Sequence, residues 1–236
     1  IRKALTFAID RKLFIEKVAK SPWKPAMAYV QPEIITGIRN THFKAQNSQY
    51  FDDNDIEKAK NLLEVGMKEL GITAMPTIKL MTNDTAKAQT YAQAFQEMWK
   101  KNLGVIAQIE PVPSAVRIDR QHKHDYQVSI AGWRPDYPEP MTYLDVYVTN
   151  SGNNDVAYSN LQYDALIEAA KAESNMERKY ELMYQAEGIL MNDMPIGPLY
   201  FIFRDYAVRE YVKEFYRNAF GADIDLIYSY IEEEPK

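Results

Sequence analysis

Trp133, Arg134, Asp136 and Tyr137 bring an indole, a guanidinium, a carboxylate and a phenol into one short stretch. Pro135, Pro138 and Pro140 run through the same stretch and forbid a regular element there. Just upstream the chain alternates. Tyr126, Val128 and Ile130 fall on one side and Gln127, Ser129 and Ala131 on the other, which is the period of a strand. Gly132 ends the alternation, so a strand over 126–131 is expected to run out into a stiff loop. Binding groups often sit on such loops, held by the scaffold behind them. Two readings stay open on spacing alone. In one, Trp133 fills a core, Asp136 is a turn residue after Pro135, and Arg134 is its surface partner. In the other, Trp133 is an apolar wall and Asp136 a fixed anion for a cationic ligand group.

Other chemistry is thinly represented. His122 and His124 stand beside Asp125, two of only three histidines, but a metal site needs a third ligand at recognisable spacing. The nine glycines form no phosphate-cradling loop, and no serine nucleophile elbow is present. Asp52-Asp53 and Glu232 to Glu234 read as caps or a solvated tail. With no cysteine, a disulfide framework or a thiolate metal site is excluded. A net charge of -5 disfavours a nucleic-acid surface. No apolar run approaches the roughly 20 residues that span a bilayer. At 236 residues, 46% hydrophobic and 26% charged, the chain can bury a sizeable core. A metal- or carboxylate-dependent hydrolase of small peptides is the enzyme reading, with no residue constellation behind it.

The elements that must position the loop follow from periodicity. Residues 1–19 read as helix, with Asp10 capping a second turn from Arg11. Residues 21–32 and 40–49 read as loop. Asn54 with Glu57 resembles a capping box for a helix through Leu70, stopped by Gly71. A strand at Thr77–Met81, a helix through Ala88, Tyr91, Phe95 and Trp99 stopped by Gly104, and a strand at Val105–Ile109 form a βαβ unit, which predicts parallel pairing. A short helix from Pro113 to His122 leads to the alternating strand. Met141–Val148 reads as short helix or coil. Ser174 with Glu177 resembles a second capping box, for a helix ended by Met194-Pro195. Pro198–Phe203 reads as a strand. Ligands of open parallel sheets bind beyond the carboxyl ends of the strands, where the Trp133 loop and the Asn83-Asp84 turn both fall.

Ala131-Gly132-Trp133, followed by Asp136-Tyr137 and Glu139-Pro140, resembles a signature of the extracytoplasmic oligopeptide-binding proteins of peptide ABC importers, solute-binding protein family 5. The opening run from Ile1 to Arg11, the run from Trp99 to Val105, and Asn153-Asn154-Asp155 resemble the same family in the same order. The resemblance implies an α/β, type II periplasmic-binding-protein-like lobe with an open mixed sheet flanked by helices. It implies a C-terminal lobe fragment of a longer protein, as does a start at Ile1 inside a helical pattern. Residues 1–203 would form the peptide-binding lobe, and 204–236 a return segment towards an N-terminal lobe. The implied ligand is an extended oligopeptide. The implied partner is a membrane permease, with no cofactor, metal or catalytic residue, in an extracytoplasmic setting, periplasmic or lipid-anchored. A metal chelate, sugar or heme is the alternative ligand for the same fold. By position, Asp136 would take the peptide's α-ammonium with Trp133 packed beside it. Ser129, Ile130, Ala131, Arg134, the loop near Ser114, and the strand Tyr200-Phe201 would line the cleft. Many family members carry Arg where this chain has Ile130, so handling of peptide charge or length is expected to differ.

Overall fold

A computed structural model describes residues 1–32, 43, 49–203, 206–217 and 224–232. Most of the expected 40–49 loop and the end of the acidic tail lie outside these residues. The first helix is not continuous. Helix α1 (Arg2–Phe7) stops, and Asp10 accepts a hydrogen bond from the Leu13 N–H at 2.8 Å to start α2 (Arg11–Leu13), as its spacing predicts. A π-helical turn, Phe14–Ala19, follows and ends in left-handed Lys20. The Arg11 guanidinium is almost wholly buried. It donates to the carbonyls of Thr6, Ile9 and Pro198 and pairs with Asp53 at 3.0 Å, so the charge is neutralised and its donors are used.

Strand β1 (Lys24–Pro25) precedes α3 (Ile56–Glu69). The cap of α3 is Asp55, which accepts from the Lys58 N–H, not Asn54. Asn54 instead takes a left-handed turn at φ 56°, a conformation Asn tolerates. Gly71 stands past the helix end at φ +66°, the stop its position predicts. Then come β2 (Ile78–Asn83), α4 (Ala86–Leu103), β3 (Ala107–Val112), α5 (Ser114–His122) and β4 (Val128–Ser129). The sheet order is β3-β2-β4, parallel throughout, as the βαβ pattern predicts.

The two faces of this sheet differ. Ile78, Leu80, Ala107, Ile109, Val128 and Ile130 pack into one core with α1, α3 and α4, where Phe14, Phe95 and Trp99 are buried. Strand alternation therefore turns Met81, Asn83, Glu110 and Ser129 to the α5 face. Two contacts agree: Glu110 pairs with Arg120 at 3.1 Å, and Asn83 accepts from Arg117 at 2.8 Å.

A second core lies among α6 (Met141–Leu144), a 3-10 turn at Asp145–Tyr147, α7 (Leu161–Ala172) and α8 (Met176–Asp193). Asn160 and Asn175 cap α7 and α8, so the cap of α8 falls one residue after Ser174. Tyr50 packs against both cores. Strand β5 (Tyr200–Phe201) pairs antiparallel with β1, outside the parallel sheet. Four short strands follow, β6 (Val212–Lys213), β7 (Tyr216–Arg217), β8 (Ile224–Asp225) and β9 (Tyr230–Ile231), paired β6 with β9 and β7 with β8. Around them Leu226, Ile227, Tyr228 and Ile231 are largely exposed.

Candidate functional site

The strand that feeds the loop is shorter than its alternation predicts. Only Val128 and Ser129 are in register with β2, and the Ile130 N–H adds one further bond to the Met81 carbonyl at 3.0 Å. Four residues before β4 begins, His124 is left-handed at φ 54°, which breaks the extended run at its start. β4 pairs on one side only, so the backbone groups of Ser129 point to an edge with no partner strand among the described residues. Ala131 and Gly132 are exposed, with open space around Gly132.

Beyond Gly132 the chain is pinned by Thr142, which is 2% exposed. The Trp133 indole N–H donates to the Thr142 carbonyl at 2.7 Å. The Asp136 backbone N–H donates to the Thr142 hydroxyl at 3.1 Å. Trp133 is half-buried with one side against the second core, Pro135 is buried, and Arg134, Asp136 and Tyr137 reach solvent. The indole thus packs as a core-filling Trp133 would, and the Asp136 carboxylate faces solvent.

The loop gathers negative charge. The Tyr137 phenol is pushed up to about 12 by burial and then by Asp145, Glu139 and Asp136. Burial raises the Asp145 carboxyl; Lys171 opposes it and Asp136 adds to it. Glu139 is held by Lys179 at 2.6 Å, which leaves Asp136 as the outermost acid of the group. A cationic group arriving at Asp136 meets a field already favourable to it.

The remaining expected residues fall into two sets. Ser129 joins the loop; its Oγ is buried on the α5 face without a hydrogen-bond partner. Ser114 is the exposed first residue of α5. Tyr200 belongs to a different aromatic group. It stacks on Trp23 at 4.4 Å and on Phe14 at 5.6 Å, beside Tyr91 near the start of α4, and its phenol is pushed up to about 12 by burial. Phe201 follows it in β5, half-buried. His122 does not pair with Asp125. It meets Asp155 at 2.8 Å, and Asp155 also accepts from Tyr126. Among the described residues no group of three or more metal-ligating side chains forms. Thr142, which fixes the loop, was not legible in the sequence, because nothing in Met141–Leu144 marks a hydroxyl that caps a turn six residues upstream.

A parallel sheet flanked by helices gives the chain an α/β fold of the periplasmic-binding-like class. Residues 1–155 match the model of the bacterial extracellular solute-binding proteins, family 5 Middle, and the chain belongs to that family. It is 38% identical over 205 residues to the oligopeptide-binding protein OppA of Bacillus subtilis, covering 85% of this chain and 36% of that protein. It is 30% identical to the periplasmic oligopeptide-binding protein OppA of Salmonella typhimurium, covering 90% of this chain and 38% of that one. Among solved structures it superposes on an oligopeptide ABC transporter substrate-binding domain of Bacillus anthracis with a TM-score of 0.88 at 28% identity, over 98% of this chain and 45% of that one. For Listeria monocytogenes OppA bound to peptide the TM-score is 0.84 at 29% identity, over 99% of this chain and 45% of that one. The chain therefore spans less than half the length of these relatives. The family is one of solute-binding proteins, and no described helix is long and apolar enough to cross a membrane.

Proposed function

We propose that this chain is the C-terminal lobe of an extracytoplasmic receptor that binds extended oligopeptides and delivers them to the permease of an ABC importer. Residues 1–203 form the lobe, and 204–236 are the return segment towards a second lobe. The exposed Leu226, Ile227, Tyr228 and Ile231 suit a surface that another part of a longer protein covers. The protein stands outside the cytoplasm, periplasmic or lipid-anchored, and does no covalent chemistry.

The observation that carries this reading is the outer edge of β4, unpaired among the described residues, running into a pinned loop with an exposed carboxylate. An extended peptide adds to such an edge through main-chain hydrogen bonds, and its α-ammonium meets Asp136. A charge-assisted hydrogen bond of this kind is about twice as strong as a neutral one. Trp133 gives the first peptide residue an apolar wall, with Ser129, Ile130, Ala131, Arg134 and Ser114 around it. Tyr200 and Phe201 line the approach on the α4 side. The capture motion is closure of two lobes over the peptide.

The test is a double cycle by calorimetry in the full-length protein: wild type and Asp136→Asn, each against a free-amine peptide and its N-acetylated twin. Removing one member of a buried charge pair costs about 2–5 kcal/mol. The free-amine peptide should lose that much in Asp136→Asn, and the acetylated peptide should bind both proteins equally badly. Equal losses for both peptides would remove Asp136 from the α-ammonium site.

A further inference from the structure

Arg117 is a half-buried cation with no carboxylate in ion-pair contact among the described residues. It lies in the second turn of α5 and faces the sheet. Its Nε donates to Asn83 Oδ1 at 2.8 Å and its Nη1 to Gln121 Oε1. Both acceptors are neutral amides, and Gln121 is 5% exposed. The nearby acids have other partners. Glu110 and Asp125 pair with Arg120 and Asp119 with Lys123, while Asp155 hydrogen-bonds His122. Burial lowers the guanidinium's pKa, and Asp155 opposes this from beyond ion-pair distance. A guanidinium has five N–H donors, and the two amides engage only part of them. Taking such a group partly out of water with no carboxylate in ion-pair contact is unfavourable, and an arriving anion relieves that.

The place of this cation matters. Asn83 is the last residue of β2. The register Met81 to Ser129 puts it level with Ala131, one strand in from the open edge of β4. Ser129 turns its buried, unpartnered hydroxyl to the same face. Arg117, Asn83 and Ser129 thus make a cationic corner at the carboxyl ends of the strands, where β4 runs out towards the Asp136 loop. The two amides fix the guanidinium before any ligand arrives, and pre-ordering reduces the entropy cost of binding.

We propose that Arg117 receives a carboxylate of the bound ligand and so selects among peptides by charge. This rests on the peptide reading above. The carboxylate is either the peptide's C-terminus or an acidic side chain.

Two peptide pairs separate these sources by calorimetry on the full-length protein. The first is tetra-alanine as free acid and as C-terminal amide. The second is Ala-Glu-Ala-Ala-amide and Ala-Gln-Ala-Ala-amide. Wild type should prefer the acid in one pair by about tenfold or more, the scale of one hydrogen bond to a charged group. The first pair marks the C-terminus and the second the side chain. Arg117→Gln should remove the preference, and Arg117→Lys, which keeps the charge but not the planar fork, should retain part of it. Equal binding within both pairs by wild type, a comparison that needs no variant, overturns this proposal and leaves the peptide reading standing. A preference that persists undiminished in Arg117→Gln overturns it as well. Failure of wild type to bind any of the four peptides overturns the peptide reading and this proposal with it.

Discussion

Thr142 shows how the candidate site is built from single residues. One buried residue uses its carbonyl to hold the Trp133 indole and its hydroxyl to hold the Asp136 backbone. Thr142→Val keeps the shape and the carbonyl but removes the hydroxyl. The Asp136 N–H then loses its partner, at a cost of about 1 kcal/mol of folding stability. The carboxylate also loses its fixed position, so a free-amine peptide should lose more affinity than its N-acetylated twin. Urea unfolding and calorimetry read the two effects; a variant unchanged in both would show that the loop is held by something else. The irregular loop that carries Trp133 and Asp136 was legible from the prolines within it, while the roles of the two side chains were not fixed by residue type or spacing. Thr142 was not legible, because its role exists only once the chain has folded back on itself. The same holds for Arg117, an ordinary basic residue on a short polar helix until Asn83 and Gln121 are placed around it.

Among the elements, the long helices were the most legible. Each of α3, α4 and α8 carries an apolar stripe, and glycines stand just past α3 and α4. The caps of α3 and α8 lie one residue later than the expected Asn54 and Ser174. Asn, Asp and Ser cap about equally well, so neighbouring candidates are indistinguishable without the backbone. β4 was overestimated because alternation reports side-chain environment, whereas pairing also needs a partner strand in register. One element contact was hidden in plain view. Glu187 interrupts the apolar face of α8, four residues from both Met183 and Met191, yet it is 0% exposed. It accepts from the N–H groups of Tyr29 and Val30 at 3.1 and 2.9 Å and from the Tyr50 hydroxyl, tying α8 to the chain that leaves β1. Glu187→Leu fills the space but strands two backbone donors. The expected loss is about 2–6 kcal/mol, from roughly 1–3 kcal/mol for each orphaned group. Glu187→Gln, which keeps one acceptor oxygen, should cost clearly less. If the leucine variant loses under about 1 kcal/mol in urea unfolding, these donors find other partners.

Across the whole molecule, the α/β class and the parallel sheet were legible from the βαβ pattern, but the division into two cores was not. Among the described residues the chain passes repeatedly from one to the other, and Tyr50 packs against both. Such packing argues for one cooperative unit, and buried tyrosines offer a way to test it. Tyr200 sits against the first core and Tyr147 within the second, and burial pushes each phenol up to about 12. In an unfolded chain the phenol ionises near 10. Below about pH 10 both states keep their protons, so this contribution to stability is fully present. Between about 10 and 12 the unfolded chain releases protons that the folded chain retains, so stability falls as pH rises. Tyr163 adds in the same direction, its phenol raised first by burial and then by Tyr147. Alkaline unfolding should therefore set in above about pH 10, with tyrosinate absorbance, near-ultraviolet dichroism and tryptophan fluorescence changing together. Tyr147→Phe and Tyr200→Phe should each reduce the steepness of the stability loss with pH, because each removes one differential proton. If the cores are one unit, either substitution alters a single transition seen by every probe. Two separate steps, each sensitive to only one of the substitutions, would show instead that the second core unfolds independently and that the Trp133 loop is carried by two units able to move apart.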